Sequence, residues 1–412
     1  MIFRSLLAFC GVALARAYFM IIGTSTCCAQ VEQWADPPYI QLSKNMTPEV
    51  QALPHCGIID WKLDRIPFID ARPSAGISGA GMVVVDGRIY LLGGFIPAGD
   101  GSSDRASHRT SRWVYRYDPP TKEWTRLPDL PERREYTRAI ATNNAIYLIG
   151  GSMQRKGNPH GELVSDDCFK MDLAKQPLAW ERQGKLSVAR THMGVGRVGD
   201  YLIVAGGVKW DPKNGYHAST IKGTTDVLDL SKPQLGWQAR SSIPGVGRGW
   251  VASSAGKNAF YVFSGLTFDE KKNSTWINES LKYDPASDQW TSIGKPPVWV
   301  SGWEAATYRD RYIILVGGCV GPTTTPYSNA NLWNDLVFVF DTETEVWGKL
   351  EGTIPPAAVY NDAGVVIIGD TIYVAGGEGP RGSHFNHFAI GRIKLTRLRD
   401  LETPRRDPAA EP

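Results

Sequence analysis

The stretch GGEGPRGSHFNH, residues 376–387, sets a carboxylate (Glu378), a guanidinium (Arg381) and two imidazoles (His384 and His387) close together along the chain. A glutamate whose proton affinity is raised by partial burial can accept and donate a proton near neutral pH, the work of a general acid–base catalyst; the histidines are alternative carriers. A second set is scattered through the middle of the sequence. Arg134, Arg190 and Arg248 each stand sixteen residues before a glycine-containing landmark, and the position two residues further on brings in Tyr136, His192, Trp250 and Trp303, with Glu304 beside the last. Arginine forks suit carboxylates, and flat aromatic faces suit sugar rings. Gathered at one place, these residues would form a surface for a carbohydrate, an acidic sugar in particular.

Residues so far apart cooperate only if the chain carries them to a common place, and a repeat does so. Paired glycines stand at 93–94, 150–151, 206–207, 317–318 and 376–377, with Ser264-Gly265 in the vacant slot, at steps of 57, 56, 58, 53 and 59 residues. Six units follow. Each pair ends an alternating apolar strand, as in RIYLLGG (88–94), AIYLIGG (145–151) and TIYVAGG (371–377), and seven residues earlier lies a turn position: Asp86, Asn143, Gly199, Lys257, Asp310 or Gly369. A polar or glycine turn between two apolar runs predicts a hairpin. A third strand then ends in an apolar residue and Asp, and a tryptophan opens a fourth: Tyr117-Asp118 before Trp124, Met171-Asp172 before Trp180, Leu228-Asp229 before Trp237, Tyr283-Asp284 before Trp290 and Phe340-Asp341 before Trp347. The last unit has no such tryptophan after it, whereas WKLDRIP (61–67) is similar to WTRLPDLP (124–131). The predicted fold is therefore all-β: a six-bladed propeller of four-stranded antiparallel blades, closed by an N-terminal strand at Trp61 that completes the last blade and leaves no sheet edge open. Its innermost strands would converge on a central channel, where repeat-equivalent positions become neighbours.

The double glycine, the Tyr-Asp-x5-Trp spacing and the arginine sixteen residues before the glycines resemble the Kelch repeat, over residues 52–395. The resemblance implies the propeller fold but no single activity, because this architecture serves unrelated tasks. In Kelch repeats an arginine at this place also packs and hydrogen-bonds between blades, so an architectural role for Arg134, Arg190 and Arg248 stands beside the ligand-binding one. Within the group, Gly-Glu after the inner hairpin followed by an arginine is similar to the sialic acid mutarotases. That likeness implies an N-acetylneuraminate mutarotase-like activity without a cofactor, with Glu378 and Arg381 catalytic and the funnel arginines on the sugar's carboxylate. The other class left open is a non-catalytic module holding an unknown protein partner on blade loops such as 99–112, 154–166 and 323–333. Copper oxidases on related repeats need a cross-linked cysteine among Tyr and His, a setting that Cys56, Cys168 and Cys319 lack.

Composition agrees with many short strands and tight turns: 43 Gly, 14 Trp and 16 Tyr in 412 residues. Residues 1–29 carry Arg4, an apolar run over 6–15, a second around 18–22 and the small-residue site Cys27-Cys28-Ala29. They read as a secretory signal cleaved after Ala29, so a secreted or periplasmic protein is expected, with no membrane association unless the signal is retained. Its removal takes the formal charge from +3 to +1, which leaves no electrostatic footprint for nucleic acid. The three remaining cysteines show no zinc spacing and are expected as buried thiols. Asn45, Asn273 and Asn278 head glycosylation sequons. Residues 30–51 are expected as a linker, and 396–412, rich in Arg and Pro, as a disordered tail.

Overall fold

The structure, a computed structural model, describes residues 40–69, 75–101, 109–155, 158–321, 332–355, 361–379 and 383–395. The expected signal, the expected tail, Arg381 and most of loop 323–333 lie outside the described residues.

Alternating apolar residues produce the predicted hairpins. In the first repeat Gly81–Val85 pairs with Arg88–Leu92, and Asp86 and Gly87 between them take left-handed φ values of 49° and 68°. This is the two-residue turn whose twist matches that of its strands. Val114–Asp118 and Glu123–Arg126 complete an antiparallel meander. The same order is built by Arg138–Ala141, Ala145–Ile149, Asp167–Asp172 and Trp180–Lys185 in the second repeat. The recurrent motif turns out to be a cross-strand pair: Tyr117 lies opposite Trp124, Met171 opposite Trp180, Leu228 opposite Trp237, Tyr283 opposite Trp290 and Phe340 opposite Trp347. Such pairs contribute roughly 0.2–1 kcal/mol each to a sheet.

Closure occurs as the sequence predicts. His55–Arg65 runs antiparallel to His387–Leu395, with Trp61 opposite Gly391. Glycine replaces the usual apolar partner here because a Cβ on Gly391 would fall 2.8 Å from the Trp61 ring. The expectation of six separate sheets is corrected. His55–Arg65 also pairs in parallel with Val346–Glu351, through His55 opposite Lys349 and Ile58 opposite Glu351. The last two four-stranded meanders are thereby joined into one eight-stranded sheet, and the propeller-like ring is made of five hydrogen-bonded sheets, four of them four-stranded.

The linker expected over 30–51 is corrected in its described part. Ile40–Gln41 adds a parallel strand beside Leu332–Trp333, and Leu42 and Val50 are fully buried in one cluster with Trp303 and Phe338. The buried Lys349 reaches from the eight-stranded sheet to donate to the carbonyls of Val50 (2.6 Å) and Gln51 (2.9 Å), satisfying the end of the short helix Pro48–Ala52. Cys56, Cys168 and Cys319 are buried, as expected.

Six innermost strands, Gly81–Val85, Arg138–Ala141, Gly194–Val198, Ala252–Ala255, Glu304–Tyr308 and Gly364–Ile368, follow one another in a closed circle. They surround an axial cavity of about 500 Å³.

Candidate functional site at the axial mouth

The double glycines dock each repeat onto the next. The N–H of Gly94 donates to the Arg134 carbonyl (2.8 Å), that of Gly151 to Arg190 (3.0 Å) and that of Gly207 to Arg248 (2.8 Å). No other residue fits at Gly93: its φ is 64°, and a Cβ would lie 2.4 Å from the Arg134 carbonyl oxygen. The arginines sit at these seams because their backbones are the docking points.

Their side chains stay at the seams too. Arg134, 3% exposed, donates to Glu132 (2.5 Å) and to the Ser165 hydroxyl (2.9 Å). Arg190, fully buried, is paired with Asp226 and donates to the carbonyls of Gly206 (3.1 Å) and Thr224 (2.8 Å). Arg248, also buried, pairs with Glu279 at 2.8 Å. Each guanidinium serves its own blade. The expectation that they converge on a carboxylate ligand is corrected: once a buried guanidinium is matched to an acid of its own blade, it is not free to reach the axis.

What converges instead is the set of positions two residues on. Gly79, Tyr136, His192, Trp250, Gly302 and Asp362 all adopt left-handed φ, between 47° and 69°. Hydrogen bonds hand these residues on around the axis: Gly79 N–H to the Asp362 carbonyl (2.9 Å), Asp362 to Gly302 (3.3 Å), Gly302 to Trp250 (2.8 Å) and Trp250 to His192 (3.0 Å). A non-glycine residue in this conformation costs on the order of 1 kcal/mol, which the ring of bonds offsets.

The fifth repeat departs from the expected register. Its inner hairpin pairs Tyr308 with Tyr312 around a three-residue turn, 309–311, where the first repeat pairs Val85 with Arg88 around two residues. Counting back from the glycines therefore stops one residue short, and Gly302, not Trp303, occupies the ring. Trp303 is a correction: it is 0% exposed, donates its indole N–H to the Phe263 carbonyl (3.3 Å) and packs among Phe263, Phe338 and Trp347.

At the mouth the Tyr136 ring stacks on His192 with centroids 4.4 Å apart, and His192 faces Trp250 at 4.6 Å. Tyr216 and Phe268, from the loops above, extend this aromatic arc. The Tyr136 hydroxyl donates to Glu378 Oε2 at 3.1 Å, a contact between residues 242 positions apart. Glu378 is held there because its backbone exchanges two hydrogen bonds with Asn361, beside the ring. Its carboxyl is raised to about 7, first by burial and then by the charge of Asp362, while the Tyr136 hydroxyl pulls it down. His384 pairs with Glu378 in a two-stranded ribbon, but its imidazole lies against Phe95 (5.1 Å) and burial lowers it to about 4. His384 is thus placed as a buried neutral ring.

One step down the channel lies a group that the sequence reading missed in part. Arg138 approaches Glu304 to 2.8 Å and Asp362 to 3.7 Å. Arg138 and Glu304 stand on inner strands three places apart in the circle of six and so face each other across the channel. Both come two residues after a ring position, where the other repeats carry Gly81, Gly194, Ala252 and Gly364. Opposite charges at equivalent positions of opposite repeats, amid small residues that leave room for a long side chain, were the available signal. Burial raises the Glu304 carboxyl to about 7 and that of Asp362 to about 6, with Arg138 opposing in both. His192, whose Nδ1 lies 2.8 Å from the Thr191 hydroxyl, is held well below its ordinary value by burial and by Arg138.

Comparison with known proteins bears on the repeat. The Kelch motif model matches residues 77–131, the stretch from the ring-forming turn of the first repeat to the end of its outer strand. The Kelch-like protein terF of Aspergillus terreus is 31% identical over 255 residues, which cover 61% of this chain and 52% of that protein. These matches support a Kelch-repeat β-propeller family for this chain. Alpha-scruin of Limulus polyphemus is 26% identical over 267 residues, 65% of this chain and 27% of its own. An N-(sulfonatooxy)prop-2-enimidothioate sulfolyase of Thlaspi arvense is 25% identical over 304 residues, 67% of this chain and 79% of the enzyme. The match thus spans about half of the Aspergillus relative and about a quarter of the scruin. Kelch relatives that include a named enzyme do not themselves choose between catalyst and binding module.

Proposed function

We propose that this Kelch propeller is a non-catalytic protein-interaction module whose partner docks on the face carrying the long loops. The observation behind this reading is the fate of the arginines: Arg134, Arg190 and Arg248 are each engaged by acids or carbonyls of their own blade, so none of these three is free to clamp an acidic sugar at the mouth. The loops above are built as presenting surfaces. Loop 208–222 is held by Asp211, which accepts from the N–H groups of Lys213 (2.8 Å) and Asn214 (3.1 Å), and it offers the partly exposed Trp210 and Tyr216 beside Phe268 of the next repeat. Leu163 and Val246, 43% and 54% exposed, lie on loops of the same face. Apolar and aromatic side chains on a rigid scaffold are the usual anchors of protein contacts.

In the same reading the eight-stranded sheet counts as two blades, giving six. The support is that six inner strands and six left-handed ring positions surround the axis.

The test is site-specific photo-crosslinking on the full chain in its native extract, with the crosslinker at Leu163 or Tyr216 on the loop face and at Lys257 or Gly369 on the short-turn face. A discrete partner captured from the loop face alone is expected, and its yield should fall when Trp210 and Phe268 are changed to alanine. Acceleration of anomeric exchange of N-acetylneuraminate, followed by proton NMR and abolished by Glu378→Gln, would overturn the proposal in favour of an enzyme.

A further inference from the structure

Among the described residues, the inner end of the axial channel holds more carboxylate than the neighbouring cation neutralises. Asp362 is 1% exposed, and neither of its carboxylate oxygens has a hydrogen-bond partner. Glu304 approaches the same guanidinium nitrogen, Nη2, and its Oε1, although 2.8 Å from Arg138, is off the hydrogen-bonding line. Glu378 stands close enough for its carboxyl and that of Asp362 to repel. Against these three acids stands, among the described residues, one cation, Arg138, shared between Glu304 and Asp362. His192 offers no further charge, since burial and the neighbouring Arg138 disfavour its protonation, and its Nε2 is 3.8 Å from Asp362, beyond hydrogen-bond range. A buried carboxylate without donors is costly, and proteins rarely keep one unless something else satisfies it.

The channel has room for that partner. Its cavity of about 500 Å³ is lined at this end by Arg138 and Glu304 and at the far end by Arg197 and Asp310. Between them the wall is mainly small or apolar, including Ala139, Ala306 and Val365. Among the described residues no group of three His, Cys, Asp or Glu is arranged to hold a metal ion. A cation with an organic body fits both the charge and the volume.

We infer that the axial channel binds a small primary ammonium compound, its charged head between Asp362 and Glu304 and its body along the small-residue wall. An ammonium group carries three donors and no acceptor, the complement of orphaned carboxylate oxygens. The aromatic arc of Tyr136, His192 and Trp250 stands at the loop end of the channel. The inference is independent of the partner proposed for the loops.

The experiment titrates the full chain with n-propylammonium chloride and, in parallel, with n-propanol, by isothermal calorimetry and saturation-transfer NMR. Saturable binding of the amine and none of the alcohol is expected. Asp362→Asn and Glu304→Gln should each weaken amine binding by about tenfold or more, because a charge-assisted contact is lost, whereas Glu132→Gln, at a peripheral seam, should leave it unchanged. Equal binding of amine and alcohol, or wild-type affinity in either axial variant with a native near-UV spectrum, overturns the inference. So does the absence of saturation by propylammonium, ethanolammonium and guanidinium alike. Should both axial variants misfold, the amine–alcohol comparison on the wild type decides alone.

Discussion

Replacing Asp362 by asparagine should remove a pH-dependent cost that the wild-type fold carries. The carboxyl is buried without a donor on either oxygen, and burial lifts it from 3.8 to about 6 against the pull of Arg138. Between those values the folded protein keeps a proton that the unfolded chain has released. The stability contributed by the neutral acid is therefore complete below about pH 4 and is lost as pH rises through about 6. A rise from 3.8 to about 6 corresponds to about 3 kcal/mol at pH 8. Asparagine keeps the shape, tolerates the left-handed φ of 52° and cannot ionise. Neighbouring groups titrate in the same window. Glu304 and Glu378, both raised to about 7, lose stability in the same direction as pH rises. His192 and His384, both lowered, act in the opposite sense, because their unfolded forms take up protons first as pH falls. The quantity to read is thus the difference between variant and wild type, to which Glu304 and Glu378, relieved of the Asp362 charge, add in the same direction. Urea unfolding at about pH 4, 6 and 8 should show the variant gaining about 3 kcal/mol on the wild type from the lowest to the highest pH. A difference that stays flat across this range would refute the picture of Asp362 as a buried acid without a donor.

Two further outcomes follow from the seams. Arg190→Met leaves Asp226 fully buried with only the Ser187 N–H and hydroxyl as partners, and should cost about 3–5 kcal/mol in denaturant unfolding; a loss below about 1 kcal/mol would place the pair in solvent. Gly93→Ala and Gly87→Ala form a matched pair, both at left-handed φ, but the first drives a Cβ to 2.4 Å from the Arg134 carbonyl and the second meets nothing within 4 Å. Gly87→Ala should cost about 1–2 kcal/mol in unfolding free energy and Gly93→Ala clearly more, and equal costs would contradict the docking of repeats through the double glycine.

The architecture was readable because its signals are local and repeated. Alternation in RIYLLGG or TIYVAGG predicts a strand without knowledge of the rest of the chain, and the fivefold recurrence of an apolar residue, Asp and then Trp is a cross-strand pair written out in sequence. The closing strand was readable for the same reason, since Trp61 repeats a landmark missing from the last unit. Register was less secure. A single extra residue in the turn 309–311 moved Trp303 out of the ring and Gly302 into it, because one residue along a strand turns a side chain to the other face.

The site depended on distances that no stretch of sequence contains. Tyr136 and Glu378 were both expected at the mouth, and their hydrogen bond exists because the ring brings the second and last repeats together. The arginines were expected there as well, but their direction was decided by acids of their own blades: Glu132, two residues from Arg134, and Asp226 and Glu279, which only folding sets beside Arg190 and Arg248. Arg138 gained its importance from Glu304 across the channel, a partner defined by closure of the circle. Strand pattern and repeat number reside in neighbouring residues, which the chain encodes directly. The pairing of charges about the axis resides in where distant strands end up, and that is settled only when the last sheet closes.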